Sequence, residues 1–462
     1  MYFCKILLFF LKIIIMTTRR EFIKKTAIGT TLVSIGGALP GFSAKSYKNI
    51  IGANDKIRVG AIGVNARGNA LAEGFAKEDG CEVAYVCDVD RRAMEKCMAN
   101  VSKIASNTPR GEKDIRRLLE IKDMDAVLIA TPEHWHAPAA LMAMKAGKHV
   151  YLEKPTGHNP AENEILIEAV KKYNRVAATG MQRRSWPNVV NAIKEVQNGA
   201  IGNVYFGKAW YTNNRASIGT GKVIPVPEWL DWELWQGPAP RVRNYKDNVV
   251  HYNWHWFYDW GTGESGNNAV HFIDVLRWGM GVLYPTEVNS TGGRFCYKDD
   301  WQFPDTQVIN FKFGNDKMIS WEGRSCNGKS IENTTAGAAF YGEKGTVVIA
   351  GGNDYKIYDL KSQLVKEVTS DLKFIQGDIR NPSEKLDAFH FSNFLDAIRK
   401  SIPLNADINV GAISTTLALL GNISQRTKST LQTNPANGHI FKNKAASKLW
   451  SREYEKGWEM KL

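Results

Sequence analysis

The chain has 462 residues, 44% of them hydrophobic and 23% charged, with 40 glycines and 16 prolines. These ordinary proportions exclude a disordered, collagen-like or polytopic membrane chain, and the length suits two or three domains. The formal charge of +13 is spread without a Lys/Arg block that would track a phosphate backbone, which argues against nucleic acid as a partner.

Five of those thirteen net charges lie in residues 1–44, where Lys5, Lys12, Arg19, Arg20, Lys24 and Lys25 face only Glu21. Thr18-Arg19-Arg20-Glu21-Phe22-Ile23-Lys24 resembles the twin-arginine export motif. An apolar stretch, Ala27–Leu39, and the small-residue site Phe42-Ser43-Ala44 follow in signal-peptide order. Residues 1–44 are therefore read as a signal peptide with Met16 as its true start, and 45–55 as a linker. Met1–Ile15, broken by Lys5 and Lys12 and shorter than the ~20 residues of a span, is left as a leader extension or an anchor. The expectation is a periplasmic protein that meets the membrane only through export machinery. Five cysteines follow residue 44, an odd number without CxxC or Cys/His metal spacing, so no metal site is expected. They read as buried small hydrophobes.

Residues 56–180 read as an α/β dinucleotide-binding domain built on a parallel sheet. A β-rich run, Ile57–Ile62, enters the turn Gly63-Val64-Asn65-Ala66-Arg67-Gly68 and then a helix. A second strand, Glu82–Cys87, ends at Asp88, twenty residues past Gly68. Such a turn lets backbone N–H groups approach a pyrophosphate at a helix N-terminus, and the acid can hold ribose hydroxyls. The middle glycine of GxGxxG is Asn65, the non-glycine residue that best tolerates a left-handed conformation. Asp88 favours NAD over NADP, because a carboxylate repels a 2′-phosphate; Arg91 and Arg92 nearby weaken that preference. A third strand, Asp125–Ala130, leads into Thr131-Pro132-Glu133-His134-Trp135-His136 and a helix from Pro138 to Ala146. A fourth ends at Glu153-Lys154-Pro155. Both motifs fall beyond strand carboxyl ends, where ligands of open parallel sheets bind. A lysine there is costly to bury without a purpose.

Together, the Gly63–Gly68 turn, Asp88, Thr131-Pro132-x-His134-x-His136 and Glu153-Lys154-Pro155 resemble the Gfo/Idh/MocA oxidoreductases. The resemblance covers nearly all of the chain after residue 50. It implies a Rossmann domain followed by an α/β domain with a large, mostly antiparallel open sheet often used for homo-oligomer contacts. It also implies bound NAD, and a place for Lys154 beside the nicotinamide and the substrate hydroxyl. The cofactor-binding candidates are Gly63, Asn65, Ala66, Arg67, Gly68, Asp88, Thr131, Pro132, His134, His136, Glu153 and Lys154.

Residues 181–434 carry the substrate side, and the polar tail of 435–462 suggests no role. A helix over Asn188–Asn198 and strands over Val204–Thr212, Thr306–Phe313, Lys317–Gly323, Ala338–Gly342 and Thr346–Ala350 point to a largely antiparallel sheet packed on one face by helices. Nine of the chain's 14 tryptophans lie between Trp186 and Trp278, more than one core needs; one or two can line a sugar pocket. In Gly261–Trp278 a Gly-rich turn opens a helix that places Asn267, His271 and Asp274 at i, i+4 and i+7 on one face. The family's pattern here is an acid, three residues, then a histidine serving as general acid/base. His271 is kept, but Asn267 replaces the acid, so either Asp274 or Glu264 orients the imidazole or His271 is a weaker base. Arg183 and His255 are further candidate substrate contacts.

The expected chemistry is hydride transfer between a secondary hydroxyl of a sugar or glycoside and a tightly held nicotinamide. Lys154 and His271 would share proton transfer and alkoxide stabilisation, with the division of roles open. A redox-neutral NAD-dependent glycosidase and a non-catalytic sugar- or nucleotide-binding protein are the alternatives.

Overall fold

The computed structural model describes residues 56–314, 316–372 and 383–462. The signal peptide, the Met16 start and the linker lie outside the described residues. Six short strands form a wholly parallel sheet: β1 (Ile57–Ile62), β2 (Cys81–Cys87), β3 (Arg110–Glu112), β4 (Ala126–Ile129), β5 (His149–Leu152) and β6 (Ala177–Thr179). Their spatial order is β3-β2-β1-β4-β5-β6. The chain steps to β2 on one side of β1 and to β4 on the other. This reversal opens a crevice at the strand carboxyl ends. The central strands are buried on both faces, β4 throughout and β1 at every position but Arg58, as near-continuous apolar runs require. The connecting helices are α1 (Arg67–Ala76), α2 (Arg91–Ile104), α3 (Ile115–Leu119), α4 (Glu133–Lys145) and α5 (Pro160–Tyr173).

Helix α4 begins at Glu133, five residues before the start expected at Pro138, so the histidine motif forms its first turns. Pro138 has no N–H to give the carbonyl of His134, four residues back. Arg452 supplies the missing donor, its Nη2 lying 2.6 Å from that oxygen.

The second half contains α6 (Pro187–Gln197), β7 (Val204–Thr212), a short α7 (Trp232–Gln236) and α8 (Val270–Met280). The strands β8 (Glu287–Gly293), β9 (Thr306–Phe313), β10 (Lys317–Arg324), β11 (Ala336–Gly342), β12 (Gly345–Ile349), β13 (Tyr355–Asp359) and β14 (Leu364–Val368) follow. The chain closes with α9 (Glu384–Lys400), α10 (Ile408–Thr427), β15 (Leu431–Thr433), β16 (Ile440–Phe441) and α11 (Lys444–Lys448). These strands make one ten-stranded sheet, β14-β13-β12-β11-β7-β10-β9-β8-β15-β16. Only β7 and β10 pair in parallel; the remaining pairs are antiparallel. Phe311, Ile319, Trp321 and Phe340 of the sheet pack against Ile273 and Leu276 of α8 and Leu417 and Leu420 of α10.

The two sheets are knitted together by the end of the chain. Phe391, Phe394 and Leu395 of α9 join Leu71, Phe75 and Tyr151 in the core on one face of the parallel sheet. Thr415 and Thr416 of α10 bond Thr156 and Asn163 at the entry to α5. The tail packs on the other face: Arg452 pairs with the fully buried Glu162 at 2.8 Å, Tyr454 donates to the same carboxylate, and Trp458 meets Trp135 edge-on. No helix among the described residues is long and apolar enough to cross a membrane. All five described cysteines are free. Cys87 and Cys97 are buried, but Cys296 is exposed, because it lies in a surface turn rather than in a strand core, so the hydrophobe reading fails there.

Replacing Arg452 with methionine leaves the Glu162 carboxylate buried without its cation and the His134 carbonyl without its donor. Breaking such a buried pair costs about 3–5 kcal/mol. Urea unfolding at neutral pH is expected to show a loss of that size, and an unchanged midpoint would contradict the assigned role of the tail.

Candidate active site

The turn between β1 and α1 is a cradle that side chains would fill. Gly63 has φ +78°, and a Cβ there would stand 2.6 Å from the backbone of Thr131. A Cβ on Gly68 would stand 2.0 Å from the Gly63 carbonyl oxygen, so only glycine lets α1 start this close to β1. Asn65 is exposed on the turn, and its φ is not positive. The left-handed demand therefore falls on Gly63, and a tolerance of Asn65 for that conformation is not what preserves the turn. Asp88, at the end of β2, accepts from the Val64 amide at 2.6 Å and the Asp90 amide at 2.9 Å, which fixes the carboxylate at the mouth of the cradle. Arg92 is occupied by Asp90 and stacks 3.4 Å above the Trp229 ring, so it does not offer a ready 2′-phosphate contact. This backbone cradle with an acid twenty residues on fits NAD.

The second wall is built from the ends of β4 and β5. Thr131 and Pro132 line the cavity. His134 does not: its Nε2 is 3.0 Å from the Trp235 carbonyl, and burial drives its pKa down to about 3. As the second residue of α4 it points into the aromatic core, which corrects its place among the cofactor contacts. His136 lines the cavity, yet its Nδ1 faces the Pro155 carbonyl at 2.6 Å and its Nε2 the Thr131 carbonyl at 2.9 Å. The ring sits between the two motif loops; with its pKa lowered by burial it is neutral and donates its one N–H to one of the two carbonyls. Glu153 accepts from Arg67 Nε at 2.8 Å and from Gln182 at 3.0 Å, and Arg67 also pairs with Asp387 of α9.

Lys154 extends from the end of β5 toward the other half of the molecule. Its Nζ donates to the Asn267 carbonyl at 2.7 Å and to Asn267 Oδ1 at 3.2 Å. Burial lowers the Lys154 pKa, against the opposing pull of Glu153 and Glu133. Residues Ser265–Ala269 form a π-helical turn before α8, a feature that recurs at functional sites. It sets the Asn267 carbonyl and side-chain oxygen toward the same ammonium group.

The shared helix face expected for Asn267, His271 and Asp274 is only partly present. Asn267 and His271 line the cavity. Asp274, three residues past His271, is rotated about 60° away at ~100° per residue. It is buried against Arg184 at 2.7 Å and Ser414 at 2.7 Å, so it neither orients His271 nor reaches a substrate. Nor does Asn267 serve His271, since its amide is committed to Lys154 and Glu264. His271 Nδ1 is buried with no partner among the described residues, and burial holds its pKa well below the ordinary value. Arg183 lies 4.4 Å above the Phe272 ring and lines the cavity beside Trp186. His255 does so stacked on Trp254 at 3.6 Å, with Nδ1 tied to the Tyr252 carbonyl.

These groups surround one cavity of about 780 Å³, within the range of small-molecule sites. Its far side is aromatic and amide-rich, with Tyr211, Asn213, Asn214 and Trp254. Two contributors escaped the sequence reading. Glu133 is buried, and burial pushes its pKa up to about 7. Arg215 pairs with Glu264 at 2.9 Å. The polar run Thr212-Asn213-Asn214-Arg215 at the end of β7 was the available signal. Of the tryptophans, Trp135, Trp186, Trp235 and Trp254 line the cavity, whereas Trp210, Trp256 and Trp260 are core.

A glycine cradle opening onto a half-buried lysine beneath an aromatic wall defines a nicotinamide-dependent oxidoreductase architecture. The oxidoreductase family model with an NAD-binding Rossmann fold matches residues 57–181, and that family's C-terminal α/β model matches 238–431. The chain belongs to the Gfo/Idh/MocA oxidoreductase family. A glycosyl hydrolase family 109 protein of Saccharopolyspora erythraea is 28% identical over 226 residues, 46% of this chain and 49% of that protein. The match thus spans about half the length of this curated relative. Among solved structures, a levoglucosan dehydrogenase with NADH and levoglucosan aligns with a TM-score of 0.62 at 18% identity, over 81% of this chain and 99% of that one. The WlbA dehydrogenase of Bordetella pertussis, with NADH and UDP-GlcNAcA, gives 0.61 at 18% identity over 82% and 99%. At these identities the likeness is one of fold.

Gly68→Ala forces its methyl group onto the Gly63 carbonyl and must push the turn outward. NAD affinity, measured by calorimetry on the intact protein, is expected to fall at least about tenfold, equivalent to ~1.4 kcal/mol. Unchanged affinity would show that the cofactor does not use this turn.

Proposed function

We propose that the protein transfers hydride between a secondary hydroxyl of a sugar or glycoside and an NAD held tightly in the cradle. The observation that carries this reading is Lys154: a half-buried amine that lines the cavity between the dinucleotide turn and the aromatic wall, with its Nζ held by Asn267. Bound there, NAD supplies the acceptor for the carbinol hydrogen and its electron pair. Lys154 in its neutral form takes the hydroxyl proton: the O–H bond breaks and an N–H bond forms at Nζ. The resulting ammonium faces the developing carbonyl oxygen. His271 is neutral and sits far below neutral pH in basicity, so it is poorly matched to act as the base and contacts the substrate oxygen instead. Trp254 and Tyr211 offer flat faces to the C–H side of a pyranose.

The twin-arginine-like motif supports export to the periplasm with cofactor already bound. Without a free nucleotide pool, turnover there must be redox-neutral: one sugar oxidised and another reduced, or one sugar oxidised and re-reduced. The glycosyl hydrolase family 109 relatives favour a second reading of the same site, in which transient oxidation acidifies a neighbouring C–H and permits elimination of the aglycone. The broad second sheet suits a homo-oligomer.

The test uses protein purified after cytoplasmic folding. Nucleotide released on denaturation is assayed, and a glycoside panel is added to the native protein while reduced-nicotinamide absorbance is followed. Reduction of captive NAD by a glycoside is expected; aglycone release without net reduction would establish the glycosidase. Binding of both with neither reaction would mark a non-catalytic protein. Lys154→Met is expected to lower the rate at least ~100-fold with NAD still bound. Because burial lowers the Lys154 pKa and its neutral form is the base, activity should rise with pH through that pKa. A variant with near-normal turnover would remove Lys154 from the chemistry.

A further inference from the structure

The residue that replaces the family's acid has a defined geometric task. Two of the three hydrogens of a lysine ammonium are claimed by the carbonyl and Oδ1 of Asn267, at 2.7 and 3.2 Å. In the neutral amine those two acceptors take both N–H groups, so the lone pair is the one direction left, toward the cavity. Asn267 can do this only with its amide in one orientation, Oδ1 toward Lys154 and Nδ2 away. Glu264 sets that orientation, since its Oε1 accepts from Asn267 Nδ2 at 3.3 Å and from the Asn268 amide. Glu264 is itself immobilised: its side chain is 2% exposed, Arg215 Nε donates to Oε2 at 2.9 Å, and Ser325 donates to the same oxygen at 3.1 Å. The π-helical turn at Ser265–Ala269 brings residues 264, 267 and 268 onto one side of the chain.

We infer that Asn267 and Glu264 are positioning residues that aim Lys154: Glu264 locks the Asn267 amide, and Asn267 directs the free position of Nζ at the substrate oxygen. The inference rests on the reading of Lys154 as the proton-transferring group. It explains the substitution of asparagine for an acid. A carboxylate at 267 would hold the lysine as an ammonium, whereas an amide accepts the same hydrogen bonds without favouring the charge. The charge of Glu264 is taken up by Arg215 instead. The other charged and titratable groups facing Lys154 are Glu153 at its own strand end, Glu133 at the start of α4, Arg67 at the start of α1, and His136, His255 and His271.

The primary test of the inference needs neither substrate nor turnover. The intact protein is labelled with trace acetic anhydride across a pH series, and acetylation of the Lys154 peptide is read by mass spectrometry. Asn267→Asp is expected to move the Lys154 midpoint up by about one pH unit or more, since a carboxylate replaces the amide at hydrogen-bond distance. The acid limb of kcat should move with it while KM changes less. Glu264→Gln is expected to move the midpoint down, because the Asn267 amide is released and a negative charge is lost. Coincident midpoints for wild type and Asn267→Asp would overturn the inference, and an unshifted Glu264→Gln would remove Glu264 from it. Should Glu264→Gln fail to fold around the unpaired Arg215, Asn267→Asp still decides. Midpoints that shift as expected while Lys154→Met keeps its turnover would uphold the arrangement and reject the catalytic role of Lys154.

Discussion

A lysine at the carboxyl end of a buried parallel strand cannot be left to itself. Its charge must find acceptors, or its proton must leave. In this fold the acceptors of Lys154 come from Asn267, at the π-helical turn that introduces the helix of the second sheet. The contact therefore crosses from the nucleotide-binding sheet to the other half of the molecule. Because α9 and the tail pack on opposite faces of the first sheet, and α10 bonds the entry to α5, the two halves hold that contact in register.

Four other buried carboxylates in and behind the cavity wall are held by three guanidinium groups. Arg67 lies between Glu153 and Asp387, Arg215 faces Glu264, and Arg184 faces Asp274. Such pairs do not guarantee stability, but they leave the uncharged oxygens of Asn267 as the Nζ acceptors. Glu133, with its pKa raised to about 7 by burial, adds a carboxyl group that titrates near neutrality beside this centre. The nucleotide side depends on steric fit instead: two glycines, one with positive φ and one pressed against a carbonyl, admit the backbone to a pyrophosphate.

The parallel half was legible because it is written in short-range code. Strand, Gly63–Gly68 turn, helix, strand and Asp88 succeed one another within about thirty residues, a spacing set by βαβ geometry. The mostly antiparallel second sheet was legible in its alternating strands, though not in its order, which pairs β7 with β10 in parallel across more than a hundred residues. Side-chain commitments across long separations were not legible. Asp274 sits at a helical spacing that suggested partnership with His271, but Arg184, ninety residues earlier, claims it. His134 and His136 look alike in the motif, yet the aromatic core takes one and the loop carbonyls take the other. The His134 carbonyl that Pro138 leaves without a helical donor is met by Arg452, more than three hundred residues away. A π-turn leaves no periodic trace in sequence, so the joint use of Asn267 by Lys154 and Glu264 could not be read from spacing.

The central claim is that a carbinol hydrogen passes to NAD beside Lys154. The most direct measurement is isotopic. Purified protein carrying its own nucleotide is mixed with a glycoside found to bind, deuterated at its ring carbinol carbons. The reaction is quenched within one turnover, and the released nucleotide is examined by mass spectrometry. The account predicts deuterium in the reduced nicotinamide ring, abolished by Lys154→Met. Bound glycoside with no label in the nucleotide, at any pH across the titration of Lys154, would contradict it.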